Sequence, residues 1–144
     1  MQQVSELVRH ASAKGASGRY QLEAAIQSAH VVRRRTGWAD WSAIEHLYDA
    51  LARLTESPVV AINRAIAIAE TRSPEAALAE LDALSDDARL AQYQPYWAAR
   101  AGLLERTDQT DAADHAYERA IGLEADPAVR EFLQEQRARL RDRP

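Results

Sequence analysis

The sequence predicts an all-α protein, a right-handed solenoid of about three degenerate helix pairs closed by a C-terminal capping helix. Three observations carry that expectation. Alanine, leucine, arginine and glutamate dominate the 144 residues, and strand-like runs of alternating β-branched or aromatic residues are absent. Serine-proline pairs at Ser57-Pro58 and Ser73-Pro74, with Pro127 further on, stand where helices begin. Apolar residues recur at helical spacing, and parts of that pattern repeat along the chain.

The elements follow in order. Gly15 and Gly18 are expected to end a short, weakly patterned N-terminal segment. A helix is predicted over 20–35, with Leu22, Ile26, Ala29 and Val32 on one stripe, and Thr36-Gly37 breaks it. WADWSAIEHLYDALARL comes next, with Trp41, Ile44, Leu47, Tyr48, Leu51 and Leu54 at helical spacing. Ser57-Pro58 opens SPVVAINRAIAIAE and Ser73-Pro74 opens EAALAELDAL. Serines such as Ser42, Ser57 and Ser73 are accounted for as caps. YQPYWAARAGLLER and TDAADHAYERAIGL form another pair, and Pro127 starts AVREFLQEQRARLR, whose many charges suit a polar-faced end. About seven helices result.

The repeat register is that of tetratricopeptide (TPR) helix pairs. Trp97 takes the first helix's aromatic position and Ala101 a close-approach position. Ala113, Tyr117 and Ala120 give the small–aromatic–small spacing of the second helix. Ala61, Ala65, Ile68, Ala77, Leu81 and Leu84 hold the same register one unit earlier. Ala77 to Ala113 is 36 residues, close to the TPR length of about 34. Ile44, Tyr48 and Leu51 supply a third, looser copy.

Charge and composition narrow the function. The net charge of −4 leaves no overall basic field for nucleic acid. With no cysteine there is no disulfide, thiolate metal site or cysteine nucleophile. Neither a signal-peptide run nor a membrane-length apolar stretch is present, so a cytoplasmic domain without membrane contact is expected. His10, His30, His46 and His115 lie on four segments without metal-ligand spacing. Phosphate-loop, dinucleotide and nucleophile-elbow motifs are missing. No catalytic residue, cofactor or metal is expected, and the chain reads as a non-enzyme. The Arg33-Arg34-Arg35 run ends a helix, where cations suit the dipole.

SPVVAINRAIAIAE is apolar nearly all round. Between Pro58 and Ala69 its only polar side chains are Asn63 and Arg64. The middle helix of a stack has neighbours on most sides, which accounts for the apolarity. Asn63 is expected to bond backbone between helices. A buried arginine at 64 requires a carboxylate, since an unpaired buried charge costs several kcal/mol. Glu23, Asp40 and Asp49 are available, which favours a structural polar network of Asn63 and Arg64 over a ligand site.

From Gly18 onward the sequence resembles a family. GRYQLEAAIQSAH, then DW at Asp40-Trp41, LYDAL at 47–51 and SPVVAINRAIAIAE resemble, in that order, the TPR-like C-terminal extension of bacterial extracytoplasmic-function (ECF) RNA polymerase sigma factors. Those proteins read close to GPYQLQAAIAAxHA, TDW, LYDxL and SPVVxLNRAVAVAE. LDAL at 81–84 and AxxAYERAIGL at 113–123 continue the likeness, which covers roughly residues 18–140. Arg19 stands where the family has proline, and Trp38 is added ahead of the DW pair.

The resemblance implies a division into residues 1–17, a linker or short helix from the sigma core, and 18–144, the TPR-like domain. It also implies a regulatory, non-catalytic role in transcription initiation. The expected partners are the sigma factor's own core domains or RNA polymerase, with a small YCII/DGPF-type protein as a further candidate. Promoter DNA is reached only through sigma domains that this chain does not contain; it has no helix-turn-helix or basic recognition helix. Tyr20, Gln21, Trp38, Asp40 and Trp41 are the candidate partner-binding residues. Trp41 also fits the apolar stripe, so Trp38 is the better interface candidate. Two other readings stay open: an independent TPR adaptor that binds peptide segments of other proteins, and a small-molecule sensing site in the solenoid groove.

Overall fold

The computed structural model describes residues 2–14 and 16–142. Eight α-helices and one short 3₁₀ turn make up the regular structure of those residues, and no strand occurs among them. By internal contacts the chain divides into two compact units, Met1–Thr71 and Arg72–Pro144. The division falls between the two helices that the repeat register pairs as the second unit.

The first unit holds α1 (Gln2–Lys14), α2 (Ala16–Thr36), α3 (Trp41–Thr55) and α4 (Pro58–Thr71). Helix α1 packs on α2 and α3, α2 on α3, and α3 on α4. Ala11, Leu22, Ile26, Ile44, Leu47, Tyr48 and Leu51 form the buried cluster, with Val4, Leu7 and Val8 packed against it. The N-terminal segment is thus a helix whose apolar residues at 4, 7, 8 and 11 follow the i, i+3, i+4, i+7 pattern.

Two local expectations are corrected. Gly18 does not end a segment; it lies inside α2 and is buried. A Cβ there would fall 2.7 Å from the Ala11 Cα and closer still to its carbonyl, so the missing side chain lets α1 and α2 meet. Gly15 lies outside the described residues. Val32 is 43% exposed, because the inward line of α2 runs 22, 26 and 29 and reaches 33, itself exposed at the helix end. The guanidinium at that last position, Arg33, lies 4.8 Å from the Trp41 ring centre, a stacking that accommodates a cation beside the core.

Helix starts follow elementary capping chemistry. The Asp40 carboxylate accepts from Ala43 N at 3.1 Å and is the N-cap of α3. Ser42, expected as a cap, is instead the second residue of that helix. Pro58 opens α4, and the Ser57 carbonyl accepts from Ala61 N at 3.2 Å. Ser73 caps α5 through its hydroxyl, which accepts from Ala76 N at 3.0 Å.

The second unit holds α5 (Pro74–Asp82), the 3₁₀ turn Ala88–Leu90, α6 (Gln94–Arg106), α7 (Thr110–Leu123) and α8 (Pro127–Leu140). Packing follows chain order, α5 on α6, α6 on α7 and α7 on α8. Ala101, Ala113, Tyr117 and Ala120 are buried. Trp97 is half-buried, and its Nε1 donates to the Ala91 carbonyl at 3.1 Å. The same carbonyl accepts from Arg119 Nη2 at 2.8 Å, while the Arg119 guanidinium sits 4.9 Å from the Trp97 ring centre. Helix α8 is fixed to α7 by Arg137, whose Nε and Nη2 donate to Asp114 at 2.8 and 3.2 Å. That bond holds the Asp114 carboxyl below its ordinary range.

One tether recurs. Three buried tyrosines each fix their helix to the preceding one through the hydroxyl. Tyr48 Oη of α3 is 3.0 Å from His30 Nε2 of α2. Tyr96 Oη of α6 donates to the Leu81 carbonyl of α5 at 3.2 Å. Tyr117 Oη of α7 donates to Glu105 Oε1 of α6 at 2.7 Å. A buried ring supplies apolar area, and its hydroxyl supplies direction.

The glycines give a paired prediction. Gly18→Ala should cost about 1–3 kcal/mol by forcing α1 from α2, read as a lower denaturation midpoint and faster tryptic cleavage in α1. Gly102→Ala, at a mid-helix site with nothing within 4 Å of the added Cβ, should instead stabilise by about 0.5–1 kcal/mol. Equal effects of the two substitutions would contradict the close approach at Gly18.

Candidate interaction surface

The candidate partner-binding residues gather at the two ends of α2. Tyr20 is 63% exposed, and the Arg19 guanidinium lies 5.0 Å from its ring centre. Gln21 is half-buried beside it, its Oε1 shielded from solvent. Roughly 24 Å of helix away, Trp38 follows the bend at Gly37, where φ is 75°. Trp38 is 64% exposed, and its amide donates to Thr36 Oγ1 at 3.1 Å. Asp40 is half-buried and engaged as the α3 cap. Trp41 packs against the core of the first unit with Arg33 over its ring. The five residues therefore do not converge on one pocket. Tyr20 and Trp38 offer large open surfaces, whereas Asp40 and Trp41 hold the α2–α3 corner in shape.

Arg64 lies on α4 facing α3. Its Nε is 3.2 Å from Asp49 Oδ1, with side chains 24% and 33% exposed. Asp49 also meets Arg53 Nη2 at 3.0 Å, so one carboxylate serves two guanidiniums. Asn63 is half-buried next to it and takes no part in that ion pair. Of the three carboxylates available in the sequence, Asp49 is the one in reach because it sits on the α3 face turned to α4. Nearby, Thr71 Oγ1 donates to Glu45 Oε1 at 2.9 Å and so ties the end of α4 to α3.

His30 is half-buried. Burial first, then the Arg33 and Arg34 guanidiniums, hold its imidazole below the ordinary 6.5. Burial also raises the Tyr48 phenol, so both partners are neutral at pH 7. The hydroxyl donates to Nε2 when Nδ1 carries the imidazole proton. His10 and His115 are exposed and His46 is half-buried. Among the described residues no three His, Asp or Glu side chains gather as metal ligands, and no helix is long and apolar enough to cross a membrane.

Within the second unit an open cleft of about 230 Å³ is lined by Leu78 and Leu104 at its floor and Glu75, Asp82, Arg100 and Gln109 around it. Arg100 Nη1 donates to Asp82 Oδ1 at 2.6 Å across it. The volume is below the roughly 300 Å³ at which small-molecule pockets begin, and its one arginine is already paired with Asp82.

The chain is 40% identical over 119 residues to an uncharacterized protein of Rhizobium meliloti (strain 1021). The match covers 83% of this chain and 28% of the relative, so the chain spans little more than a quarter of the protein it resembles. No family model and no solved structure matches.

Two predictions follow from the polar contacts. Arg64→Ala should lower stability by about 1 kcal/mol, the scale of a partly exposed ion pair, and Asp49→Asn should do the same. A variant that melts like the parent but loses a binding partner would make Arg64 a contact residue instead. The second concerns pH. A histidine with a depressed native pKa contributes stability that is full above 6.5 and is lost as pH falls through the native value. An imidazole NMR titration should therefore place the His30 midpoint below 6.5, and His30→Gln should flatten the acid side of the stability profile. A midpoint at or above 6.5 excludes this account.

Proposed function

We propose that the chain is a TPR-like regulatory domain of an ECF sigma factor, a non-catalytic module of the bacterial cytoplasm. It would modulate transcription initiation through contacts with the sigma core, RNA polymerase or a small partner protein. The finer architecture belongs to the same proposal: a tetratricopeptide-like right-handed solenoid of about three degenerate helix pairs, with α8 as the cap.

The observation that carries the reading is the ordered run of family-like blocks on consecutive helices. GRYQLEAAIQSAH, residues 18–30, lies within α2. The DW pair supplies the α3 cap and first residue, and LYDAL supplies the buried Leu47, Tyr48, Ala50 and Leu51. SPVVAINRAIAIAE forms α4, the most apolar helix of the chain. In LYDAL the only charged position, Asp49, holds the only charged position of the NRA segment, Arg64. Two separate blocks of the signature are thus joined by one ion pair, a reason for them to occur together.

The longer relative is consistent with this reading. A 119-residue match that is 28% of its length leaves roughly 300 residues outside, room for two ordinary domains. The test is a purified transcription assay with bacterial RNA polymerase and the Rhizobium meliloti relative, intact and with the matching segment removed. Promoter-dependent transcript should appear with polymerase and change several-fold on removal. A relative that directs no promoter-dependent transcription sinks the sigma-factor reading. Unchanged transcription after removal sinks the regulatory role.

A further inference from the structure

Helix α2 buries Leu22 and Ile26 and packs Ala29 against the core, and half a turn away its surface is not the charged one a solvated helix shows. Tyr20, Ala24, Gln27 and Val31 follow one another there at helical spacing, all exposed. Tyr20 is 63% and Val31 39% exposed, and Trp38 at 64% extends the apolar surface beyond the helix end. Charge is confined to the ends and is nearly all positive: α2 carries four arginines against one glutamate. Arg19 lies 3.6 Å from Glu23 and Arg33 stacks on Trp41. Arg34 and Arg35, on either side of the Val31 line, have no ion-pair partner among the described residues. The local field is positive enough that Arg33 and Arg34 contribute to lowering the His30 pKa.

We propose that the outward face of α2, with Trp38, docks an acidic amphipathic helix of a partner protein. The partner's apolar side chains lie along Tyr20, Ala24 and Val31, and its carboxylates reach Arg34 and Arg35. An antiparallel partner places its N-terminal turn, where acidic residues are favoured, beside the arginines at the α2 C-terminus, and the two helix dipoles then oppose. A second copy docked parallel would set Arg34 and Arg35 against themselves, and docked antiparallel it would offer them on α2 only Glu23, which already lies 3.6 Å from Arg19. A nucleic acid would find apolar surface where its phosphates need cations. The inference rests on the interaction-domain reading and does not depend on the sigma-factor identity.

The test is a titration of the full chain with two synthetic peptides of about 20 residues, leucine at heptad a and d. One carries glutamate and the other lysine at the flanking positions, like charges that keep each monomeric. The glutamate peptide should bind with Kd below about 100 μM in roughly 50 mM salt and weaken several-fold at three times that salt. Arg34→Glu with Arg35→Glu should weaken it about tenfold or more, and Trp38→Ser severalfold, with helix content by circular dichroism unchanged. Absence of binding, equal binding of the lysine peptide, or indifference to the arginine reversal overturns the proposal. So does sedimentation showing that the chain dimerises through this face, or DNA that competes the peptide off it. A negative titration leaves the transcription assay to decide the broader reading separately.

Discussion

Close approach of helix backbones over alanine and glycine is the constraint on which each unit depends. Ala11, Ala65, Ala101, Ala113 and Ala120 have no exposed surface, and Gly18 is buried against Ala11. Small residues at a helix crossing bring the axes toward the short end of the usual 8–10 Å range. They also lose almost no side-chain entropy on burial. The cost is low tolerance: each such contact has room for the side chain present and little more. Because alanine contributes little apolar area, the core also needs wedges, and Tyr48, Tyr96 and Tyr117 provide them. A phenol buried in that setting must find a partner for its hydroxyl, so the alanine packing and the three tyrosine tethers are two parts of one arrangement.

The helices were legible because their signals are local. Ser73 and Asp126 at the N-caps, with proline next, mark starts on chemistry alone. What escaped depended on neighbours. The N-terminal residues Val4, Leu7, Val8 and Ala11 follow a helical stripe, but only contact with α2 and α3 gives that stripe something to cover. Gly18 reads as a breaker in isolation, yet the preference for Gly outside helices is worth only about 1 kcal/mol. A helix packed against it outweighs that. The Val32 expectation failed by angle: eleven residues after Leu22 the line turned toward α3 has moved to position 33, where Arg33 lies over Trp41, and an arginine there escapes notice in a search for apolar residues.

The polar sites show the same split. The need of Arg64 for a carboxylate could be read from the sequence, and the candidates narrowed to three. Selecting Asp49 required knowing which face of α3 turns toward α4. Trp38 and Trp41 are three residues apart and alike in chemistry, and one is open while the other is covered. The deciding residue is Asp40 between them, whose carboxylate starts α3 and so turns Trp41 inward while leaving Trp38 on the bend.

Charge placement adds a functional argument that total composition hides. The net −4 is unevenly spread. The unit Met1–Thr71 holds eight basic and seven acidic residues, whereas Arg72–Pro144 holds ten and fifteen. In the second unit the arginines are mostly spent on carboxylates or rings nearby, as Arg100, Arg119 and Arg137 are. Such cations hold helices together and offer little to a partner. Arg34 and Arg35 are placed differently, at the open end of a helix whose outer line is Tyr20, Ala24 and Val31. Cations left unpaired beside exposed apolar surface contribute little to folding beyond their fit to the helix dipole. They contribute most when an oppositely charged surface covers them and removes water, which is the condition that docking creates.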